Sequence, residues 1–253
     1  MPSQTRIRIE QLAVLIALLA AWQFASGTLL PHDFIGRPSD VAVTLGGWIA
    51  SGELWPHVLT TVGEAVGGYL IGSIAGIAAG FILGLNPFLA RIVNPVITAV
   101  YAVPKVSFAP LLIMAFGLHE ASKVALTALI VFFFVFYDTY RGARSVSEEL
   151  RDVVAVMGAN RWQMFRMVVW PTAIEWVIDG LKISVPYAFI GAVAGEIMVS
   201  NRGLGFLIRE HASNLDVNGI FAALVVLLIF SAIANHLVDR ARRGAGRWRG
   251  EAV

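Results

Sequence analysis

Six long apolar runs, separated by short polar segments, dominate this sequence and restrict what it can fold into. They cover about residues 12–30, 58–85, 95–118, 124–140, 172–198 and 220–238. A helix needs about 20 mainly apolar residues to cross a bilayer, where its backbone groups must hydrogen-bond internally. The chain is also 57% hydrophobic and only 14% charged, which is too apolar for a water-soluble domain. We therefore expect one all-α, polytopic membrane domain over residues 1–253, with six transmembrane helices.

The first apolar run can be interpreted as a retained helix or as a cleaved secretory signal. Arg6 and Arg8 precede it, as basic residues precede a signal. The run is long for a signal, however, and the sequence Phe-Ala-Ser-Gly at 24–27 is a poor cleavage site. We therefore favour a first transmembrane helix that stays in the protein.

The second run contains a glycine at every fourth position. The five residues are Gly68, Gly72, Gly76, Gly80 and Gly84. At this spacing they form one face of a helix, and another backbone can approach that face closely. A phosphate-binding loop is the alternative, but it would need a Gly-Lys pair, and the chain contains none. The glycines therefore predict helix packing, and any ATP that drives this protein must be bound by another chain.

The third run is unusual in combining prolines with a lysine. Proline inside a helix frees a carbonyl group, and such broken helices are tolerated where they line a cavity. A lysine within a membrane span is costly to bury and normally faces a polar partner or water. Lys105 therefore either lines a solute pathway or pairs with Glu64 or Glu196. The phenylalanines at 132–134 and 136 in the fourth run are more typical of lipid contact and packing than of a solute site.

Polar and aromatic residues of the third and fifth runs are the candidates for a translocation pathway. Lys105 and Lys182 favour an anionic solute, because a buried cation attracts one. Glu196, near the end of the fifth run, is either a gate residue or an acid at the membrane interface. The full set is Tyr101, Pro104, Lys105, Ser107, Lys182, Tyr187 and Glu196.

Enzymatic chemistry has little support in the sequence. The chain has no cysteine, which excludes disulfides and thiolate metal sites. Its five histidines are widely spaced, and the motifs HExxH and GxSxG are absent. We expect no catalytic, cofactor-binding or metal-binding residue on this chain.

The polar stretch between the fourth and fifth runs, residues 145–171, is called the connecting segment below. Ser145 and Ser147 are each suited to cap a short helix with acids in its first turn. Gly158 can take the left-handed conformation that ends a helix, Asn160 can cap a second helix, and Pro171 suits the first turn of a further one. The expected apolar faces are Leu150, Val153, Val154 and Met157 on the first helix, and Trp162, Phe165, Val168 and Val169 on the second.

Basic residues are distributed unequally between the two sides that six spans would create. The outer loops would hold Arg37, Lys123, Arg202 and Arg209. The inner segments would hold Arg6, Arg8, Arg91, Arg141, Arg144, Arg151, Arg161, Arg166, Arg240, Arg242, Arg243, Arg247 and Arg249. Because cytoplasmic loops carry the excess of Lys and Arg, we expect both termini and the connecting segment in the cytoplasm. The basic tail then acts as an orientation signal and a lipid anchor, and nucleic-acid binding is not expected.

The connecting segment resembles the coupling loop, or EAA motif, of permease subunits of binding-protein-dependent ABC importers. The family pattern is Glu-Ala-Ala, three residues, Gly, nine residues and Ile-x-Leu-Pro. Asp-Val-Val at 152–154 occupies the first three positions, Gly158 matches the glycine, and Val168, Trp170 and Pro171 occupy the last positions. The spacing is kept, while Asp, Val and Trp replace Glu, Ala and Leu. The resemblance implies that an ATPase is contacted through Glu149, Asp152, Val153, Val154, Gly158, Ala159, Arg161, Phe165 and Pro171.

The similarity extends over residues 38–243, where the order of features is similar to permeases of the nitrate, taurine, alkanesulfonate and bicarbonate group. The third run and the stretch after the fifth carry it, with the sequences YAVPKVSFAPLLIMAFGL and GEIMVSNRGLGFLI. The resemblance implies the type I ABC importer permease fold and a multi-pass homodimer in the bacterial inner membrane. It also implies an extracytoplasmic binding protein and two cytoplasmic ATPases that hold ATP and Mg, with no cofactor on this chain.

Two other classes of protein compete with this interpretation. An ion-driven secondary transporter would not need the connecting segment, and its uptake would survive ATP depletion but stop with an uncoupler. A membrane-embedded enzyme would turn over a substrate without partners. The sequence leaves the solute open, because the group named above handles small oxyanions and sulfonates while close relatives take pyrimidine or aromatic compounds.

Overall fold

The computed structural model describes residues 4–29 and 31–246, and the regular structure in these ranges is helical. The α-helices are α1 (Gln4–Ala25), α2 (His32–Ile35), α3 (Pro38–Ser51), α4 (Leu54–Gly84), α5 (Pro87–Ala102), α6 (Ala109–Phe116), α7 (Glu120–Arg144), α8 (Glu148–Val156), α9 (Arg161–Met164), α10 (Trp170–Val199), α11 (Leu204–Ser213) and α12 (Val217–Gly246). A 3₁₀ turn, Lys105–Phe108, precedes α6, and a π-helical turn, Phe165–Val169, joins α9 to α10. The predicted all-α class is confirmed.

Six spans are only an approximate count for the described residues. Four helical stretches are long and apolar enough to cross a bilayer: Leu54–Gly84, Glu120–Arg144, Arg161–Val199 and Val217–Arg240. The pair Phe88–Ala102 and Lys105–Phe116 would make a fifth span that is bent by 89°. The apolar helix Ile9–Ala25 is shorter than these, and residue 30, which ends the first predicted run, lies outside the described residues.

Several helices extend beyond the apolar runs that predicted them. The second begins at Leu54 rather than at residue 58, and the last continues to Gly246 rather than ending near 238. The reason is physical: apolar residues are required only within the hydrocarbon core, whereas helical hydrogen bonding continues into the polar layers. Arg247 and Arg249, counted above as inner charges, lie outside the described residues.

Helices α4, α7 and α10 form the centre of the bundle, and the glycine face of α4 lies against α7. All five glycines at 68, 72, 76, 80 and 84 are buried. A Cβ atom added at Gly76 would lie 2.9 Å from the carbonyl oxygen of Phe132 and 3.0 Å from the amide nitrogen of Phe136. The two backbones are therefore in direct contact, as small residues at this spacing allow.

Gly76→Leu is expected to destabilise the folded chain by about 1–3 kcal/mol or more, because its side chain would press on backbone atoms that cannot move aside. Gly63→Leu is the matched control on the same helix, since no atom of the described residues outside that stretch of helix lies within 4 Å of a Cβ atom there. Thermal unfolding of the purified variants in detergent measures the difference. Equal midpoints for the two variants would show that α4 does not pack on α7 through this face.

The third predicted span is broken, as its prolines suggested, but it starts earlier than predicted. Helix α5 begins at Pro87, where the Asn86 side chain accepts hydrogen bonds of 3.1 Å from the amides of Phe88 and Leu89. Pro95 lies inside α5 without ending it. The helix stops at Ala102, and the chain turns at Val103 and Pro104. The break therefore lies beside Lys105.

Helices α3, α4, α11 and α12 enclose a separate apolar cluster at the end of the bundle opposite the connecting segment. Trp48 is buried there, and the centroid of its ring lies 5.1 Å from that of the His211 ring. Helix α11 folds within the stretch that was expected to be a loop after the fifth span. This cluster holds the residues after α10 against the first turns of α4.

Candidate functional site

The first half of the connecting segment forms the short helix α8. Ser147 is its cap, since the side-chain oxygen accepts a 3.3 Å hydrogen bond from the amide of Leu150. Ser145 instead donates to the carbonyl of Gly142 at 2.8 Å and so belongs to the end of α7. Of the two starts that the sequence allowed, the structure selects the later one.

The turn at Gly158 takes the predicted left-handed conformation, with φ at +81°. Its amide donates to the carbonyl of Ala155 at 2.9 Å, and the amide of Ala159 donates to Val154 at 3.3 Å. These bonds satisfy carbonyls at the end of α8, as a glycine after a helix commonly does. The predicted helix end is confirmed.

The second helix of the connecting segment starts with a full capping box. The Asn160 side chain accepts from the amide of Gln163 at 2.9 Å, and the Gln163 side chain accepts from the amide of Asn160 at 2.8 Å. The predicted cap is therefore confirmed. Both ends of the turn are fixed by hydrogen bonds within residues 154–163, which makes the segment stiff.

Pro171 lies in the first turn of α10, as predicted, but α10 is not separate from the helix before it. Arg161–Val199 is one continuous helical stretch, and Pro171 follows the π-helical turn within it, in which the amide of Trp170 donates to the carbonyl of Phe165. Proline lacks an amide hydrogen and crowds the preceding turn, and the wider π turn accommodates it. The second half of the connecting segment is thus the end of a membrane-spanning rod.

The apolar face predicted for α8 is mostly exposed instead of buried. Val153 and Met157 are exposed, and Val156, at 89%, is among the most exposed side chains. Val154 alone of the predicted face packs inward, together with Phe165, Val168 and Val169, against a buried cluster that includes Phe81 and Ala143. The segment is therefore anchored mainly through its second helix, while α8 presents apolar side chains outward.

The residues that the resemblance assigns to ATPase contact lie around this exposed surface. Glu149, Asp152, Gly158 and Arg161 are exposed, while Ala159, Phe165 and Pro171 are partly buried. Arg151, Ala159, Arg161 and Phe165 also line a cavity of about 680 Å³ beside the segment. The arrangement offers a groove with both polar and apolar lining next to exposed apolar side chains.

Two of the candidate pathway residues lie in one aromatic cluster beside the break in the third span. The Tyr101 ring stacks on Tyr137 with centroids 4.8 Å apart, and the Tyr187 ring stacks on Phe134 at 4.1 Å. Tyr101 and Phe134 meet edge to face at 6.3 Å. The cluster, named the aromatic cluster below, thus joins α5, α7 and α10. Phe134, which the sequence suggested as a residue of lipid contact or packing, therefore packs against the rings of Tyr101 and Tyr187.

Lys105 lies against this cluster and does not pair with Glu64 or Glu196, the two acids considered as its partners above. Its ammonium group lies 4.5 Å from the Tyr101 ring centroid and 5.4 Å from that of Phe133, and it donates to the carbonyl of Tyr101. Cation–π contacts of this kind hold a lysine without neutralising it. Pro104 and Ser107 are exposed at the same break. Within the described residues Lys105 has no carboxylate partner.

The other two charged candidates lie elsewhere. The ammonium group of Lys182 forms a 2.8 Å salt bridge with Asp239 on α12. Glu196 is fully buried within the chain, so its carboxyl group does not face lipid or solvent. Neither side chain joins the aromatic cluster.

A buried ionic cluster, which the sequence did not reveal, surrounds Glu196 at the end of the bundle opposite the connecting segment. The Lys123 ammonium group lies 3.2 Å from Glu64 and 3.1 Å from the hydroxyl of Ser200, and Lys123 and Glu64 are both buried. Glu196 accepts from the Thr61 hydroxyl at 2.7 Å and from the amide of Gly205 at 2.6 Å. Lys123, counted above among outer-loop charges, is therefore an internal residue of α7.

This ionic cluster fastens the loop after α10 to the rest of the bundle. The Thr61 hydroxyl accepts from the amide of Leu204 at 2.8 Å, and the His57 ring accepts from the amide of Gly203 at 3.1 Å. An acid within a membrane span requires a partner, so Glu64, near the start of the glycine-rich second run, was the signal in the sequence that could have revealed this cluster. The partner could not be identified from spacing, because it lies on another helix.

Comparison with known proteins identifies the class of protein to which these features belong. Residues 57–247 match the family described as the inner membrane component of binding-protein-dependent transport systems. The riboflavin transport system permease protein RibX of Chloroflexus aurantiacus is 35% identical over 92% of this chain and 88% of its own length. The taurine transport system permease protein TauC of Escherichia coli is 27% identical over 98% of this chain and 91% of its own length.

The fold also matches solved structures. The structure titled as inward-facing conformations of the MetNI methionine ABC transporter contains a chain that superposes with a TM-score of 0.65 at 18% identity. The match covers 76% of this chain and 95% of that one.

Proposed function

This chain belongs to the family of inner membrane components of binding-protein-dependent transport systems, and on that premise we propose that two copies of it form the solute pathway of a bacterial importer. The chain is the permease subunit of an ATP-driven ABC importer, and the ATPase is a separate partner. In our proposal, two ATPases bind on the cytoplasmic side of the inner membrane, where they hold ATP and Mg. An extracytoplasmic binding protein delivers the solute from the other side.

The observation that carries the proposal is the rigidity of the connecting segment. Its two short helices are capped at residues 147 and 160, and its turn is fixed at Gly158. The second helix is continuous with the rod Arg161–Val199. An ATPase that binds the exposed apolar side chains of α8 can therefore displace the rod as a unit. Rigid-body motion of this kind is a common way for one domain to switch another.

The distribution of basic residues supports the proposed orientation. With Lys123 buried in an ion pair, the outer loops retain Arg37, Arg202 and Arg209. The inner side keeps its arginines near the connecting segment and near the ends of the chain, and such an excess is typical of the cytoplasmic side. We therefore place both termini and residues 145–171 in the cytoplasm.

The proposed pathway runs along the face that carries the aromatic cluster. Tyr101 and Tyr187 are each 38% exposed on the isolated chain, so they are available to a cavity between two copies. Lys105 adds an ammonium group that no carboxylate of the described residues neutralises. A cation next to aromatic rings suits a small anionic solute such as a sulfonate, nitrate or an acidic aromatic or pyrimidine-like compound. Taurine, the named cargo of one relative, carries a sulfonate group of this kind.

Lys105→Met is expected to lower uptake of an anionic solute by roughly tenfold to a hundredfold, the factor expected for losing one hydrogen bond to a charged group. The measurement is the initial rate of uptake into proteoliposomes that contain the permease, its ATPase and its binding protein, with taurine, nitrate and benzenesulfonate as test solutes. Lys105→Arg is the control, because it retains the charge and should retain most of the uptake. Normal uptake of every transported anion by Lys105→Met would remove Lys105 from the pathway.

A further inference from the structure

A cavity of about 560 Å³ near the connecting segment gathers three arginines that the importer mechanism described above does not use. It lies between α5, α7 and α10 and is called the arginine pocket below. Arg91 and Asn94 line it from α5, and Arg141 and Arg144 from α7. Its remaining polar and aromatic lining includes Trp176 of α10.

Aromatic rings hold two of these arginines in a defined orientation. The Arg141 guanidinium lies 4.9 Å from the ring centroid of Trp176 and 5.6 Å from that of Tyr137. The Arg144 guanidinium lies 5.8 Å from the ring of Tyr140, which is buried. Contact with a ring uses the face of a guanidinium, whereas its five N–H groups point outward in the plane. The donors therefore stay available to a ligand.

The arginines have few protein partners of their own. Within the described residues, Arg91, Arg141 and Arg144 form no salt bridge with an acid. Asp138, one turn before Arg141 on α7, interacts with it electrostatically, and this leaves an excess of positive charge around the cavity. By contrast, Arg151 in the connecting segment donates to the carbonyl of Ala143 at 2.9 Å. Orientation in the membrane requires arginines on one side, but it does not require them to converge on one cavity.

The arginine pocket is continuous with the proposed solute pathway. Arg141 contacts Tyr137, Tyr137 stacks on Tyr101, and the Tyr101 ring lies under Lys105. These contacts follow one face of α5 and one face of α7 from the break in the third span towards the connecting segment. A negatively charged group leaving Lys105 would next meet Arg141.

We propose that the arginine pocket is a binding site for an oxyanion, meaning a carboxylate, sulfonate or phosphate group. Its guanidinium groups can bind such a group through paired hydrogen bonds, as arginine does with planar and tetrahedral oxyanions. Two sources share this chemistry: the acid group of the transported solute, and the phosphate of an anionic phospholipid, which basic pockets between helices bind on the cytoplasmic side. Its placement at the cytoplasmic end of the pathway rests on the proposed function, whereas oxyanion binding does not.

The test uses the purified permease–ATPase complex without ATP. In one arm, the complex in neutral detergent is titrated with sulfate and with benzenesulfonate at constant ionic strength, and tryptophan emission is followed. In the other arm, the complex is purified with phosphatidylglycerol or with phosphatidylcholine, and retained lipid is counted by native mass spectrometry. A Trp176→Phe variant assigns the emission change to the pocket.

We expect the complex to bind the free anions or to retain phosphatidylglycerol over phosphatidylcholine, and the arm that responds identifies the source. Arg141→Gln and Arg144→Gln should each weaken that binding roughly tenfold or more, as expected for losing hydrogen bonds to a charged group. Arg166→Gln, an exposed arginine on the connecting segment outside the pocket, removes the same charge and should leave binding unchanged.

Absence of binding in both arms would overturn the oxyanion site, and so would equal binding by all three variants. Thermal unfolding of each complex shows whether a variant has lost its fold, and two independent arginine variants guard against that outcome. Neither result bears on the importer function. That function fails separately, if the complex binds oxyanions but shows no ATP-dependent uptake.

Discussion

Lys123→Met is expected to destabilise the folded permease by about 3–5 kcal/mol, the cost typical of removing one partner from a buried ion pair. The substitution leaves the Glu64 carboxylate, which is 2% exposed, without its ammonium partner. It also removes the hydrogen bond to Ser200 that helps to hold the loop after α10. The midpoint of thermal unfolding and the yield of monodisperse protein in detergent measure the loss.

Two further variants distinguish the effect of breaking the ion pair from the effect of losing a lysine in general. The double variant Lys123→Met with Glu64→Gln should recover part of the stability, because it removes the uncompensated charge. Lys105→Met should change the midpoint little, since Lys105 is less buried and has no carboxylate partner among the described residues. If Lys123→Met unfolded at the wild-type temperature, the assignment of a stabilising buried ion pair between α4 and α7 would be wrong.

Gly158→Pro is expected to abolish coupled uptake while the permease still reaches the membrane and binds its ATPase. Proline fixes φ near −65°, whereas this turn requires φ of +81°. Proline also lacks the amide that donates to Ala155. The turn between α8 and α9 would therefore change shape, and a push on α8 would no longer move the rod. The measurement is the number of ATP molecules hydrolysed per solute taken up by proteoliposomes.

Gly158→Asn and Gly158→Ala are graded controls at the same position. Asparagine tolerates the left-handed region, so it should retain most of the uptake. Alanine has room, because no atom of the described residues beyond the two chain neighbours lies within 4 Å of an added Cβ atom. It should lose only the uptake that a backbone strain of about 1–2 kcal/mol costs. Normal coupling in Gly158→Pro would show that the conformation of this turn does not matter for transport.

Features set by neighbouring residues were predictable from the sequence. The caps at Ser147 and Asn160 and the turn at Gly158 depend on side chains within three or four residues of the groups that they bind. The glycine face of α4 was also predictable, because its period is a property of one helix. What that face packs against was not, since the answer depends on another helix.

Features set by tertiary contacts were missed or misassigned for the same reason. Lys123 stands just before an apolar run and was counted in a loop, although α7 starts earlier and buries it against Glu64. The π turn before Pro171 consists of ordinary apolar and basic residues, which do not distinguish it from an α-helix in the sequence. The continuity of the rod was therefore not predicted. The aromatic cluster at Tyr101 and Tyr187 combines three helices, and the sequence indicated its members without their contacts.

The most direct measurement asks what the exposed tip of α8 touches in the assembled importer. The natural chain has no cysteine, so Val156→Cys introduces its only thiol, at a side chain that is 89% exposed. Leu215→Cys is the control, at a residue of similar exposure, 85%, near the end of α11 on the opposite side of the bundle. Each variant is labelled with a photoactivatable thiol-specific crosslinker in membranes that contain the whole complex. We predict an adduct with the ATPase from Val156→Cys and none from Leu215→Cys, whereas an ATPase adduct from Leu215→Cys alone would contradict both the orientation and the coupling role of residues 145–171.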